Sequence, residues 1–112
     1  MAKLKIKQFV HDNVAADAPF SGKWDADADY TIKWIWFKRK DGKGWTASDC
    51  TVHIAKDPIT LDKALLSTFG YDPMFGLPIN EDLLREQTFE YAGTNREGAP
   101  VSFVVELILE KK

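Results

Sequence analysis

A chain of 112 residues with 45% hydrophobic and 29% charged residues can build one globular domain with a modest core, and is too short for two. Its formal net charge of -2 excludes a global electrostatic drive toward nucleic acid or acidic membranes. The single cysteine, Cys50, excludes an internal disulfide and any multi-cysteine zinc site, and no apolar run approaches the roughly 20 residues of a spanning helix.

The chain opens with Lys3, Lys5 and Lys7 alternating with Leu4 and Ile6, without the apolar stretch of a secretory signal. The product is therefore expected to be made and kept in the cytosol. Period-2 alternation predicts a strand with Leu4, Ile6 and Val10 on a buried face and the lysines on a solvated one, suited to a sheet edge. Residues 18–24 form a second run with Phe20 and Trp24 on one side, interrupted by the polar turn Asp25-Ala26-Asp27-Ala28-Asp29. Tyr30–Arg39 is the strongest strand. Trp34 and Trp36 face one way and Ile35 and Phe37 the other, so the strand is apolar on both faces and either central or covered by another subunit.

Asp41-Gly42-Lys43-Gly44 marks a hairpin tip, and residues 51–56 an alternating strand with Val52 and Ile54 inward. Between 57 and 78, Thr60 can cap a short helix carrying Leu61, Ala64 and Leu65, with a short strand as the alternative. Gly70, Pro73, Gly76 and Pro78 then impose an extended loop. Asn80-Glu81-Asp82 is expected to open a helical turn before a strand over 87–92, and 93–100 to form a hairpin connection. The last strand sets Val101, Phe103, Val105, Leu107 and Leu109 on one face, and Ser102, Val104, Glu106, Ile108 and Glu110 on the other. Short strands punctuated by turns, with at most one short helix, predict an all-β antiparallel sandwich, in its finer form a jelly roll.

No local constellation earns a catalytic, cofactor or metal assignment. Asp25, Asp27 and Asp29 resemble the start of a calcium loop, but Tyr30 and Trp36 stand where an EF-hand needs glycine and glutamate, so they read as a solvated turn. Cys50 and His53, three apart on a strand, point to opposite faces and cannot form a dyad without a bulge. His11 and Asp12 read as a surface pair. Glu81, Asp82, Glu86 and Glu90 supply carboxylates that sequence cannot pair across a cleft. Lys38, Arg39, Lys40 and Lys43, near Trp34, Trp36 and Trp45, have the ingredients of a single-strand nucleic-acid site, but the acidic balance favours a solvated turn beside core tryptophans. Four tryptophans are a high load for this length, and Trp34, Trp36, Trp45 and Phe37 are the candidates for a partner interface.

Ala18-Pro19-Phe20-Ser21-Gly22-Lys23-Trp24, Tyr30-Thr31-Ile32-Lys33, the middle loop ending Leu77-Pro78-Ile79, and Gly93-Thr94-Asn95 before a long final strand follow one another in an order that resembles small β-sandwich proteins of tailed-phage particles, the capsid-decoration and minor virion proteins. The resemblance implies a non-enzymatic virion component, often trimeric, that binds the outside of a shell assembled in the host cytoplasm. The expected partners are further copies of the chain and a capsid or other virion protein. The alternative is a carbohydrate-binding module that presents exposed tryptophans, Trp45 among them, to a glycan.

Overall fold

The computed structural model describes residues 4–55, 57–58, 64–65 and 78–112. They form β1 (Leu4–Val14), β2 (Pro19–Asp25), β3 (Tyr30–Arg39), β4 (Asp49–Ile54), β5 (Asp57–Pro58), β6 (Ala64–Leu65), β7 (Pro78–Leu83), β8 (Thr88–Thr94) and β9 (Val101–Lys111), with no helix among the described residues. The expected cap at Thr60 and the helix residue Leu61 lie outside the described residues. Ala64 and Leu65 take the strand alternative, paired with Cys50 and Asp49. Asn80, Glu81 and Asp82 do not open a helix. They belong to β7, where Leu83 is inserted into the core and Asp82 accepts a hydrogen bond from the Thr31 hydroxyl at 3.1 Å. Burying Leu83 through a strand satisfies the backbone against β3, which one isolated helical turn cannot do.

Two antiparallel sheets result, confirming the all-β sandwich. The first has the order β1-β9-β3-β7 and the second β2-β8-β4-β5, with β6 also on β4. The pairs β1·β9, β2·β8, β3·β7 and β4·β5 nest inside one another, like one long ribbon folded back at its tip. Lateral pairing of β9 with β3 and of β8 with β4 then closes each sheet. Consecutive strands such as β3 and β4, or β8 and β9, therefore lie in opposite sheets. Residues 95–100 and the 40–48 segment are arches across the sandwich, not the hairpins that turn chemistry alone suggests.

Phe103, Val105, Leu107 and Leu109 on β9 meet Ile35 and Phe37 on β3 and, from the second sheet, Val52, Ile54, Phe89 and Tyr91. The alternation of β9 is thus borne out. Each fully buried Phe contributes about 1.5–3 kcal/mol over an exposed one. In β3 the register slips at Lys33 against both neighbours, between Ile32 and Trp34. Strict alternation would put Tyr30 and Ile32 on the side of Trp34. The bulge resets the phase, so Tyr30, Ile32, Ile35 and Phe37 all face inward.

β1 lies at a sheet edge, but its faces are reversed from expectation. Leu4, Ile6 and Val10 are 55%, 62% and 57% exposed, while Phe9 and His11 turn toward the second sheet. The pairs Lys7–Leu107, Phe9–Val105 and His11–Phe103 put the odd-numbered residues over the core, and a period of two sends the others outward. Phe9 and His11 there contact the rings of Phe89, Tyr91 and Phe103. Lys7 escapes burial by laying its ammonium over the Phe9 and Trp24 rings, at 5.5 and 5.7 Å.

Candidate functional site

The chemistry-bearing side chains are placed apart from one another. Asp25 accepts from the Thr88 hydroxyl, Asp27 from the Tyr30 hydroxyl and Asp29 from the Arg85 N–H, at 2.5, 2.6 and 2.9 Å, so each aspartate secures a different segment. Cys50 points into the core with its thiol pushed up to about 12 by burial, aided by Asp49, which keeps it protonated and non-nucleophilic at neutral pH. His53 lies on the other face of β4 and is half-buried. Among the described residues no three His, Cys, Asp or Glu side chains group as metal ligands. A cavity of about 200 Å³ over β4 and β8 is lined by Asp49, Cys50, Thr51, Ala92, Gly93 and Thr94, with no acid–base pair.

The pleat divides the basic cluster. Lys38 faces solvent, and Lys40 pairs with Asp12 at 2.5 Å. Arg39 turns inward, contacting Asp41 at 2.7 Å and Glu97 at 3.3 Å, with its guanidinium 5.5 Å from the Trp45 ring centre. Trp45 is a core residue whose Nε1 donates to the Phe37 carbonyl at 2.6 Å and whose ring meets Phe103 edge-on. Neither a nucleic-acid groove nor a sugar platform can use a tryptophan held this way. Phe37 is likewise internal, at 1% exposure.

His11 and Asp12 are not a surface pair. Asp12 goes to Lys40, while His11 stacks on Phe103 and bonds Tyr91 across the sandwich. Burial lowers the His11 pKa below 6.5 and raises that of Tyr91. With both groups neutral, the Tyr91 hydroxyl and His11 Nε2 share one hydrogen bond whose donor is set by the imidazole tautomer. The neutral imidazole is favoured in the fold, so its contribution to stability is complete above 6.5 and is lost as pH falls through the lowered folded value. Urea midpoints should therefore fall on acidification below 6.5, and the part of that fall due to His11 should be absent from His11→Gln. Equal pH dependence in the two proteins would refute it.

The outer face of the first sheet is where apolar surface remains. Cross-strand rows run Ile6–Ile108–Trp34, Gln8–Glu106–Trp36 and Val10–Val104–Lys38. Trp34 and Trp36 stand together there, as the sequence leads one to expect, with Trp34 half-buried and Trp36 8% exposed. Trp36 Nε1 is buried without a hydrogen-bond partner, an uncommon state for an indole N–H. Leu4, Ile6 and Val10 extend this face to the edge. Sequence reasoning missed them as surface residues because their alternation carries no label saying which side is inside.

A second feature missed from sequence is a carboxylate clamp. Glu97 accepts from Thr46, Ala47 and Ser48 backbone N–H groups and from the Thr46 and Ser48 hydroxyls, at 2.7–3.0 Å. Beside it, buried Asn95 donates to the carbonyls of Val14, Ala15 and Ala99. The two residues tie three connections together at one end of the sandwich. Comparison with protein-family models, curated proteins and solved structures returned no match.

Proposed function

We propose that this chain is a non-enzymatic structural protein of a phage particle, of the capsid-decorating kind, acting as a homo-oligomer bound to a capsid protein. The observation that carries the reading is the edge of the first sheet's outer face, where Leu4, Ile6 and Val10 are exposed next to half-buried Trp34 and buried Ile108 and Trp36. A concentrated apolar face marks a surface that another protein covers, since each Å² hidden is worth about 25 cal/mol. The nested strand pairing supports it further. We read it as a jelly roll, an arrangement that recurs in viral capsid domains and also in lectins. Cys50, His11 and the loop aspartates are already engaged in packing or turn bonds, which favours a scaffold over a catalyst.

Mass spectrometry of purified particles produced by the encoding genome tests the reading. The chain should co-purify with the major shell protein in a fixed ratio and remain through a density gradient. Its absence from washed particles would overturn the proposal.

A further inference from the structure

We propose that the free edge of β1 is a self-docking edge, at which two copies of the chain pair antiparallel about a two-fold axis through Gln8. The inference rests on the oligomeric reading above and names its surface.

The first sheet ends at β1, whose one side is hydrogen-bonded to β9 while no described strand pairs with the other. From Leu4 to His11 the register is unbroken, and the first irregularity falls between His11 and Val14. That leaves eight residues, roughly 26 Å, of regular backbone with no partner strand among the described residues and without a proline or bulge, the template onto which a further strand adds. Inward-pointing lysines can guard such an edge, but Lys7 is drawn over Phe9 and Trp24 of its own chain.

Among the described residues, three of the four large exposed apolar side chains are Leu4, Ile6 and Val10, so that exposure is concentrated on the outward face of this edge strand. A second copy fits it by symmetry. Pairing about Gln8 sets Ile6 against Val10 of the second copy, twice, and Gln8 against its own equivalent. Lys7 then faces Phe9 of the second copy. Centring one residue earlier would oppose the two Lys7 side chains, a destabilising like-charge pair. The Gln8 centre also continues the rows across the seam. Trp36–Glu106–Gln8 meets its own copy, and Trp34–Ile108–Ile6 runs into Val10–Val104–Lys38 of the second copy. Two four-stranded sheets become one of eight, in which the edge backbone of β1 gains a partner and exposed Ile6 and Val10 cover one another on either side of a polar Gln8 centre.

Sedimentation velocity of the full chain over a wide concentration range provides the test. Wild type should reach the mass of two copies, Ile6→Lys should weaken association at least about tenfold, and at concentrations where both proteins are monomeric the two should melt at the same temperature, because Ile6 is 62% exposed. Gln8→Cys in a Cys50→Ser background should give a disulfide-linked dimer on mild oxidation, and Lys23→Cys, on β2, should not. A wild type that stays monomeric overturns the proposal and leaves the edge to a strand of another protein. An oligomer, trimer included, that Ile6→Lys leaves intact overturns the edge while the structural reading stands. A chain that dimerises as described but is missing from particles retains the edge and sinks that reading.

Discussion

Glu97→Ala is expected to destabilise the protein by about 3–5 kcal/mol, lowering its melting temperature by roughly 10–20 °C. The Glu97 side chain is only 4% exposed and faces three consecutive backbone N–H groups, two hydroxyls and Arg39. Truncation leaves those donors without their acceptor, and Arg39 Nε already has none. It also unties the 40–48 arch from the 95–100 arch. In a domain whose total stability is of order 5–15 kcal/mol, that is a large share.

The same carboxylate imposes an acid limit. Burial alone would raise its pKa, but the bonds from Ala47, the Ser48 hydroxyl, Thr46 and Ser48 outweigh it and hold the carboxyl at about 2, against 4.5 for a free side chain. Its contribution, on the order of 3 kcal/mol, is therefore present above 4.5 and lost as pH falls through about 2. Glu97→Gln should flatten that part of the stability–pH curve, as read from urea unfolding between neutral pH and 2. A variant that keeps the wild-type acid limb would show that the clamp contributes nothing.

Gly93→Ala is the second large effect, expected to cost at least about 3 kcal/mol or to prevent folding. Gly93 sits opposite Phe20 on β2 and Cys50 on β4, and a Cβ there would lie 2.3 Å from the Asp49 carbonyl oxygen and 2.6 Å from the Phe20 ring. The ring can rotate. The carbonyl is backbone within the β4–β8 pairing, so relief requires separating those strands. Gly22→Ala supplies the contrast, because the atoms nearest its Cβ all belong to the Tyr91 side chain, the closest at 2.4 Å, and none of them is backbone. Chemical denaturation should rank Gly93→Ala as the worse of the two. The reverse order would mean that the β4–β8 pairing yields more easily than the core aromatics.

Local pattern made much of this molecule legible. The faces of β9 and the inward pair Val52 and Ile54 follow from alternation, and the junction at 25–29 from aspartate-rich turn chemistry. Where it failed, the missing information was non-local. β1 alternates as cleanly as β9, yet hydropathy alone chose the wrong face, because Phe9 and His11 are recruited by aromatic neighbours in β2, β8 and β9. Phe37 and Trp45 are as apolar as Trp34 and Trp36. Only the pleat and the Trp45–Phe37 hydrogen bond separate core residues from those of the outer face. Arches were mistaken for hairpins since a turn's residues describe its bend but not which sheet receives the next strand.

By itself, then, the amino-acid sequence determined an all-β domain, a two-sided apolar β3 and a β1 at the edge, since these depend on residue periodicity and turn propensity. Tertiary structure alone decided the nested strand order, the bulge at Lys33, the Glu97 clamp and the outward turn of Leu4, Ile6 and Val10. Each of these brings together residues tens of positions apart. Their energies depend on which partner occupies the facing strand, and periodicity along a single strand carries no record of that partner.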